Sequence, residues 1–227
     1  MTSKVCARAV GLLGVAGVVA AGWVCLAAST SSGPAGALPP PVVTGGKSLV
    51  EVLAARRSVR EFAPTALTAE QIGQLCWAAQ GISDQGARLR TCPSAGATYP
   101  LELYVATAEG VRHYLPAGHA LEGHLDGDVR EALSEAALRQ RCVGGAPAVF
   151  VIAADVSRTE RRYGERAQRY VDMEVGHAGQ NLLLQAAALG LGAVPVGAFS
   201  DEAVAKTLRL SAEQVPLYLI PVGEPAK

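Results

Sequence analysis

The chain has 227 residues, 20 Lys and Arg against 20 Asp and Glu, and therefore no formal net charge at pH 7. That balance removes the electrostatic case for nucleic acid or anionic lipid as a partner. An apolar content of 50% excludes a disordered chain, and the length suits one domain with a real core.

Lys4 and Arg8 precede an uncharged run, Ala9 to Ala28, that carries Leu12, Leu13, Val15, Trp23 and Leu26. It reads as an export signal, with small-x-small cleavage candidates near Ala28 and at Ala35-Gly36-Ala37. The run is also long enough to span a bilayer, so an uncleaved anchor is the second reading. Val24 before Cys25 does not suit lipidation, and no paired arginines precede the run. Ser29 to Gly46, with Pro39-Pro40-Pro41, has the composition of a tether. The expected division is a signal peptide or anchor over 1–37, a linker over 38–47 and one domain over 48–227. The expected location is periplasmic, extracellular or membrane-anchored, with any membrane contact made through the N-terminal segment.

Leu49, Val50 and Leu53 have helical spacing, and the helix runs into Arg56-Arg57-Ser58-Val59-Arg60. Three arginines and a hydroxyl suit a phosphate, because guanidinium forks bind it bidentately. A solvated basic turn is the alternative. Thr68-Ala69-Glu70-Gln71 has the form of a capping box, opening a helix with Ile72, Leu75, Cys76 and Ala79 on one face that ends near Gly81. A polar loop, 83–90, leads to Pro93-Ser94-Ala95-Gly96-Ala97-Thr98-Tyr99-Pro100, whose small side chains let a flat or charged ligand approach the main chain. Leu101, Leu103 and Val105 alternate as a half-buried strand, Glu109-Gly110 turns, and Val111 to Leu115 returns. His113, His119 and His124 lack the spacing of helical metal ligands and read as surface residues.

Asp126 or Asp128 is expected to cap a helix that continues to about Arg141, broken by Gly144-Gly145-Ala146-Pro147. Ala148 to Ala154 is a continuous apolar run, as in a central strand covered on both faces. Arg158 to Arg169 is a charged stretch, a short helix and its joint. A long helix over 168–189 follows, with an apolar stripe from Val171 to Leu189 and with Gly176 and Gly179 three apart. Helical glycines suggest a close helix–helix contact, such as a subunit interface, or tolerated local weakness. Ala193 to Phe199 is expected as a strand carrying Pro195 and ending near Gly197. Ser200-Asp201 caps a helix through Leu208, and Val215 to Val222 is a last strand.

Beyond the leader, Cys76, Cys92 and Cys142 show no C-x-x-C spacing, so neither a zinc site nor a disulfide framework follows, although one pair could oxidise. There is no dinucleotide fingerprint, P-loop or Gly-x-Ser-x-Gly elbow.

Four stretches, in order, resemble the FMN-dependent nitroreductase family, and within it the SagB/ThcOx-type dehydrogenases. They are Arg56 to Arg60, Pro93 to Tyr104, Tyr163 to Asn181, and Gly190-Leu191-Gly192 with Pro195-Val196-Gly197. The resemblance implies an α+β fold: a mixed, mainly antiparallel sheet flanked by helices, with a long central helix at the interface of a homodimer. It implies FMN as cofactor, with electrons passing through flavin N5. By position, Arg56, Arg57, Ser58 and Arg60 would hold the phosphate and the polar edge of the ring. Pro93, Ser94, Ala95 and Gly96 would lie along the cofactor, as would Pro195, Val196 and Gly197, whose last amide would sit near N5. Arg169 and Tyr170 are the candidates for proton handling. Two departures stand out: the chain stops at Lys227, where the family places a basic residue beyond the last strand, and Ala97 replaces the Asn of many members. The implied activity is an exported dehydrogenase or oxidase of a small organic substrate. An NAD(P)H-dependent nitro or quinone reductase is the enzymatic alternative, and a flavin-free binding or assembly protein is the alternative of another class.

Overall fold

The structure, a computed structural model, describes residues 36–227. The expected signal segment lies outside the described residues except for its last two positions. The strands are β1 (Gly36–Ala37), β2 (Ile82–Asp84), β3 (Leu89–Arg90), β4 (Leu101–Thr107), β5 (Gly110–Leu115), β6 (Ala120–Asp126), β7 (Ala148–Asp155), β8 (Gly192–Ala193) and β9 (Gln214–Gly223). The helices are α1 (Leu49–Ala55), α2 (Ala69–Gln80), α3 (Arg130–Ala136), α4 (Arg141–Gly145), α5 (Ser157–Tyr163), α6 (Ala167–Ala188) and α7 (Asp201–Leu208). Seven strands form one sheet in the order β1-β6-β5-β4-β7-β9-β8, and its ladders are antiparallel. The parallel element is a single bridge, Ser58 to Ala193.

The central strand explains the layering. β7 is buried from Ala148 to Ala154. Because side chains alternate across a strand, Phe150, Ile152 and Ala154 enter one core and Val149, Val151 and Ala153 the other. The first core is closed by α2 and by the α6 stripe Val171, Val175, Ala178, Leu182 and Ala186. The second is closed by α3, α4 and α7 through Leu133, Val143, Val204 and Leu208. Emptying either face, for example by Ile152→Ala, removes a fully buried side chain and costs about 2–5 kcal/mol. The expected capping box forms, Thr68 with Gln71 on α2, and a second, Ser48 with Glu51, opens α1.

Several expectations need correction. Residues 36–42 do not behave as a free tether. β1 pairs with β6, the Leu38 amide donates to the His119 carbonyl (2.9 Å), and Leu38 packs against the first core. The Gln74 side chain clamps both backbone groups of Val42, accepting at 2.8 Å and donating at 3.1 Å. The α1 stripe faces outward: Leu49, Val50 and Leu53 are exposed and Val52 is the buried anchor. The histidines are half-buried structural partners. His113 bonds Glu102, His119 joins Tyr114 to the Pro39 carbonyl, and His124 bonds the Leu208 carbonyl. The helix expected to run on to Arg141 splits at Leu138 and Arg139, which both adopt positive φ (58° and 60°), into α3 and α4. Gly144 and Gly145 lie inside α4, and the break falls after them. Cys76, Cys92 and Cys142 are free and buried.

Candidate active site

The Arg56–Arg60 segment leaves α1 and runs beside β8, with the Val59 amide donating to the Ala193 carbonyl at 3.0 Å. Gly192 permits this approach, since a Cβ there would stand 2.7 Å from Val59. The chain then pairs with its own C-terminal segment, Phe62 against Pro225 and the Ala226 amide on the Glu61 carbonyl. Lys227 therefore ends beside this segment. Arg57 turns back, its Nη1 donating to the carbonyls of Ala54 (2.9 Å) and Arg56 (2.8 Å). The guanidinium groups of Arg56 and Arg60 and the Ser58 hydroxyl bond to no other group of the described residues.

Arg60 opens onto a cleft of about 1070 Å³ whose other walls include Phe62, Ser134, Gln140, Arg141, Cys142 and Ala226. Burial pushes the Cys142 thiol up, and the positive charge of Arg60 partly opposes it. Gln140 Nε2 donates to the Ala198 carbonyl at 3.0 Å, which ties this cleft to the Pro195–Gly197 segment. That segment is not the long strand expected. β8 stops at Ala193, Val196 makes an isolated bridge with Leu219, and Gly197 and Ala198 emerge exposed. The Gly197 amide donates to no other group of the described residues, so it is free for a ligand. The structure thus brings Arg56, Ser58, Arg60, Pro195, Val196 and Gly197 to one side of the molecule.

The Pro93–Gly96 loop lies elsewhere, against the first half of α6. The Glu174 carboxylate accepts from Ser94 Oγ (3.0 Å) and from the Ala95 amide (2.7 Å) through one oxygen. Ser94 Oγ also receives the Tyr99 amide at 2.9 Å. Pinned this way, the loop holds positive φ at Gly96, Ala97 and Tyr99 (60°, 55° and 47°). For the two non-glycine residues this is strain, of about 1 kcal/mol or more each. Burial raises the Glu174 carboxyl, although the two loop donors pull it back. Behind the loop, Gln80 joins Arg90 Nη1 to Cys92 Sγ, and the Arg90 guanidinium lies 4.6 Å from the centre of the Tyr99 ring. Burial, reinforced by the Glu174 charge, pushes the Cys92 thiol up to about 11, so it is neutral and unreactive.

Arg169 is exposed and does not meet Tyr170. The basic neighbour of Tyr170 is Arg166, whose Nε donates to the phenol oxygen at 3.2 Å. The i,i+4 spacing of 166 and 170 carries that signal, because adjacent helical positions point apart. Gln140 and Arg141 are residues that the motif reading did not single out, and Glu174 belongs to the central-helix motif, which assigned it no role. Of the two helical glycines, Gly179 is used within the chain: a Cβ there would sit 3.2 Å from the Tyr218 ring. Gly176 faces open space.

Comparison with known proteins shows the family. Residues 53–224 match the model of the nitroreductase family, and the chain belongs to that family. Its members are generally FMN-dependent oxidoreductases. A protein of Methanocaldococcus jannaschii described as a nitroreductase is 46% identical over 181 residues, covering 77% of this chain and 90% of that one. A nitroreductase structure from Ralstonia eutropha superposes with a TM-score of 0.79 at 28% identity, covering 88% and 93% of the two chains. The NADPH:FMN oxidoreductase of Vibrio harveyi, solved with NAD+, shares the fold at 21% identity and a TM-score of 0.59, covering 79% and 69%.

Proposed function

We propose that this chain is an exported or membrane-tethered FMN-dependent dehydrogenase or oxidase of the SagB/ThcOx type, working as a homodimer. The carrying observation is the unspent donor set, Arg56, Ser58, Arg60 and the Gly197 amide, of which Arg60 lines a cleft of cofactor size. Cationic forks and a hydroxyl suit a phosphate dianion, and a free amide suits a ring nitrogen. FMN fits this donor set and, when bound, supplies a carrier that takes up and returns an electron pair at N5. Arg56, Ser58 and Arg60 hold the phosphate, with Arg57 committed to the end of α1. Gln140 and Arg141 line the approach, and Lys227 follows Ala226 into the same region.

The loop from Pro93 to Gly96 makes its hydrogen bonds with α5, α6 and its own residues, away from these donors. A second copy, placing its loop over the first copy's cleft, would complete each site. The exposed apolar residues Leu49, Val50 and Leu53 of α1 and Met173 of α6, with the open face at Gly176, suit such an association. Tyr170, its oxygen beside Arg166, is the group placed to hold or move a proton.

The visible spectrum of the purified protein tests this reading. Oxidised-flavin bands that bleach with dithionite support it. A colourless protein that FMN does not restore would favour the flavin-free binding or assembly role. The Vibrio harveyi relative motivates the second enzymatic reading, an NAD(P)H-dependent nitro or quinone reductase. Turnover with NADH or NADPH, compared with an azoline-type substrate, separates the two.

A further inference from the structure

Residues 158–169 carry five arginines against two glutamates in a chain without net charge. Arg158 is neutralised by Glu102 (2.5 Å) and Asp155 (3.2 Å). Arg161, Arg162, Arg166 and Arg169 are exposed and pair with no carboxylate among the described residues. Three of them donate to the protein: Arg161 Nε bonds the Ser157 carbonyl of its own helix (3.2 Å), and the other two are held through neighbouring loops and rings. Arg162 Nη1 donates to the Gly96 carbonyl at 3.1 Å, and its Cζ lies 5.6 Å from the centre of the Tyr163 ring. Arg166 Nε donates to Tyr170, and its Cζ lies 5.7 Å from that ring. The two rings meet edge to face at 5.0 Å. The Tyr163 hydroxyl stands over Gly96, where a Cβ would come within 2.7 Å of it.

Each guanidinium spends one N–H on the protein and keeps the rest of its fork. The surface therefore offers two oriented cationic forks and an aromatic edge, all fixed beside the loop of residues 93–96. We infer that it is the substrate-recognition rim of the site, and that it selects small planar anions, carboxylates or phosphate esters, over their neutral analogues. The forks take the anionic group bidentately and the rings take the planar body. The assignment rests on the reading of the 93–96 loop as one wall of the flavin site. It uses none of the Arg56–Arg60 donors, so the cofactor phosphate and the substrate anion are bound by separate residues.

The test is a calorimetric titration with 4-nitrobenzoate, phenyl phosphate and methyl 4-nitrobenzoate. It compares the wild-type protein with the Arg162→Gln/Arg166→Gln and Arg162→Lys/Arg166→Lys variants, with the flavin-to-protein ratio read on the same samples. The expected result is that at least one anion binds and is weakened about tenfold or more by the Gln pair, as for lost charge-assisted hydrogen bonds. The Lys pair falls between, with binding compared at the flavin content measured for each variant, because Arg162 also holds the Gly96 carbonyl of the loop. Response to phenyl phosphate alone assigns phosphate esters, and response to 4-nitrobenzoate alone assigns carboxylates. Equal binding by wild type and the Gln pair, or an ester bound as tightly as both anions, overturns the proposal. A wild-type protein that discriminates in this way yet takes up no flavin overturns the flavin reading alone.

Discussion

Glu174 on α6 holds Ala95 in place: one carboxylate oxygen accepts the Ala95 amide at 2.7 Å and the Ser94 hydroxyl at 3.0 Å. A carboxylate that is 4% exposed is costly to keep, and here the return is a fixed shape for a strained loop. Glu174→Ala should leave the Ala95 amide and the Ser94 hydroxyl short of an acceptor and cost about 1–3 kcal/mol. Urea unfolding measures that loss. Flavin retention in the folded variant should fall with it, whereas Glu174→Gln, which keeps an acceptor oxygen, should lose less on both counts.

Gly179 and Gly176 should respond in opposite ways. Gly179→Leu drives side-chain atoms into the Tyr218 ring, already 3.2 Å from where a Cβ would stand, and overpacking of this kind costs about 1–3 kcal/mol. Gly176→Leu enters open space and should gain about 0.5–1 kcal/mol of helix propensity in the single chain. On the proposed interface, the same substitution should weaken self-association in sedimentation equilibrium.

Glu102 sets a pH dependence. Burial alone would raise its carboxyl, but the His113 bond and the Arg158 charge outweigh burial and hold it below the ordinary 4.5. Its contribution to stability is therefore present above pH 4.5 and is lost as the pH falls through the lower folded value. Glu102→Gln should destabilise the protein at neutral pH by about 1–3 kcal/mol and flatten the acid limb of stability against pH. An acid limb as steep as that of the wild type would contradict this.

The N-terminal strap should contribute measurably. A chain starting at Ser48 loses the β1 pairing, the Leu38 contacts and both Gln74 bonds, and should be about 2–4 kcal/mol less stable than one starting at Gly36. Equal urea midpoints would show that the strap adds nothing.

The parts legible in sequence were those with one strong periodicity. The unbroken apolar run of β7, the stripe of α6 and the Ser200 cap of α7 each specify an element locally. β6 was hidden because Gly123 and His124 interrupt its alternation and because a bulge at His124, opposite Val111 and Arg112, shifts its register against β5. The strap was hidden by proline-rich composition, since its partners, Gln74 and His119, lie far away in the chain. The outward face of α1 follows from which side meets α6, which spacing alone does not show. Within the site, the motifs mark where small and cationic residues fall. The roles of Gln140 and Arg141 depend on the left-handed turn at Leu138 and Arg139, which no residue preference announces.

On the proposed reading, Arg56–Arg60 of one copy and the Pro93 loop of another share one FMN. Arg56→Gln/Ser58→Ala should abolish the first half and Pro93→Trp the second, so that neither homodimer retains flavin. Heterodimers of the two variants, isolated through separate affinity tags, combine one intact pair of halves and should carry half the flavin of the wild type per chain. Folded heterodimers that carry none would contradict the account, as would either homodimer at full flavin content.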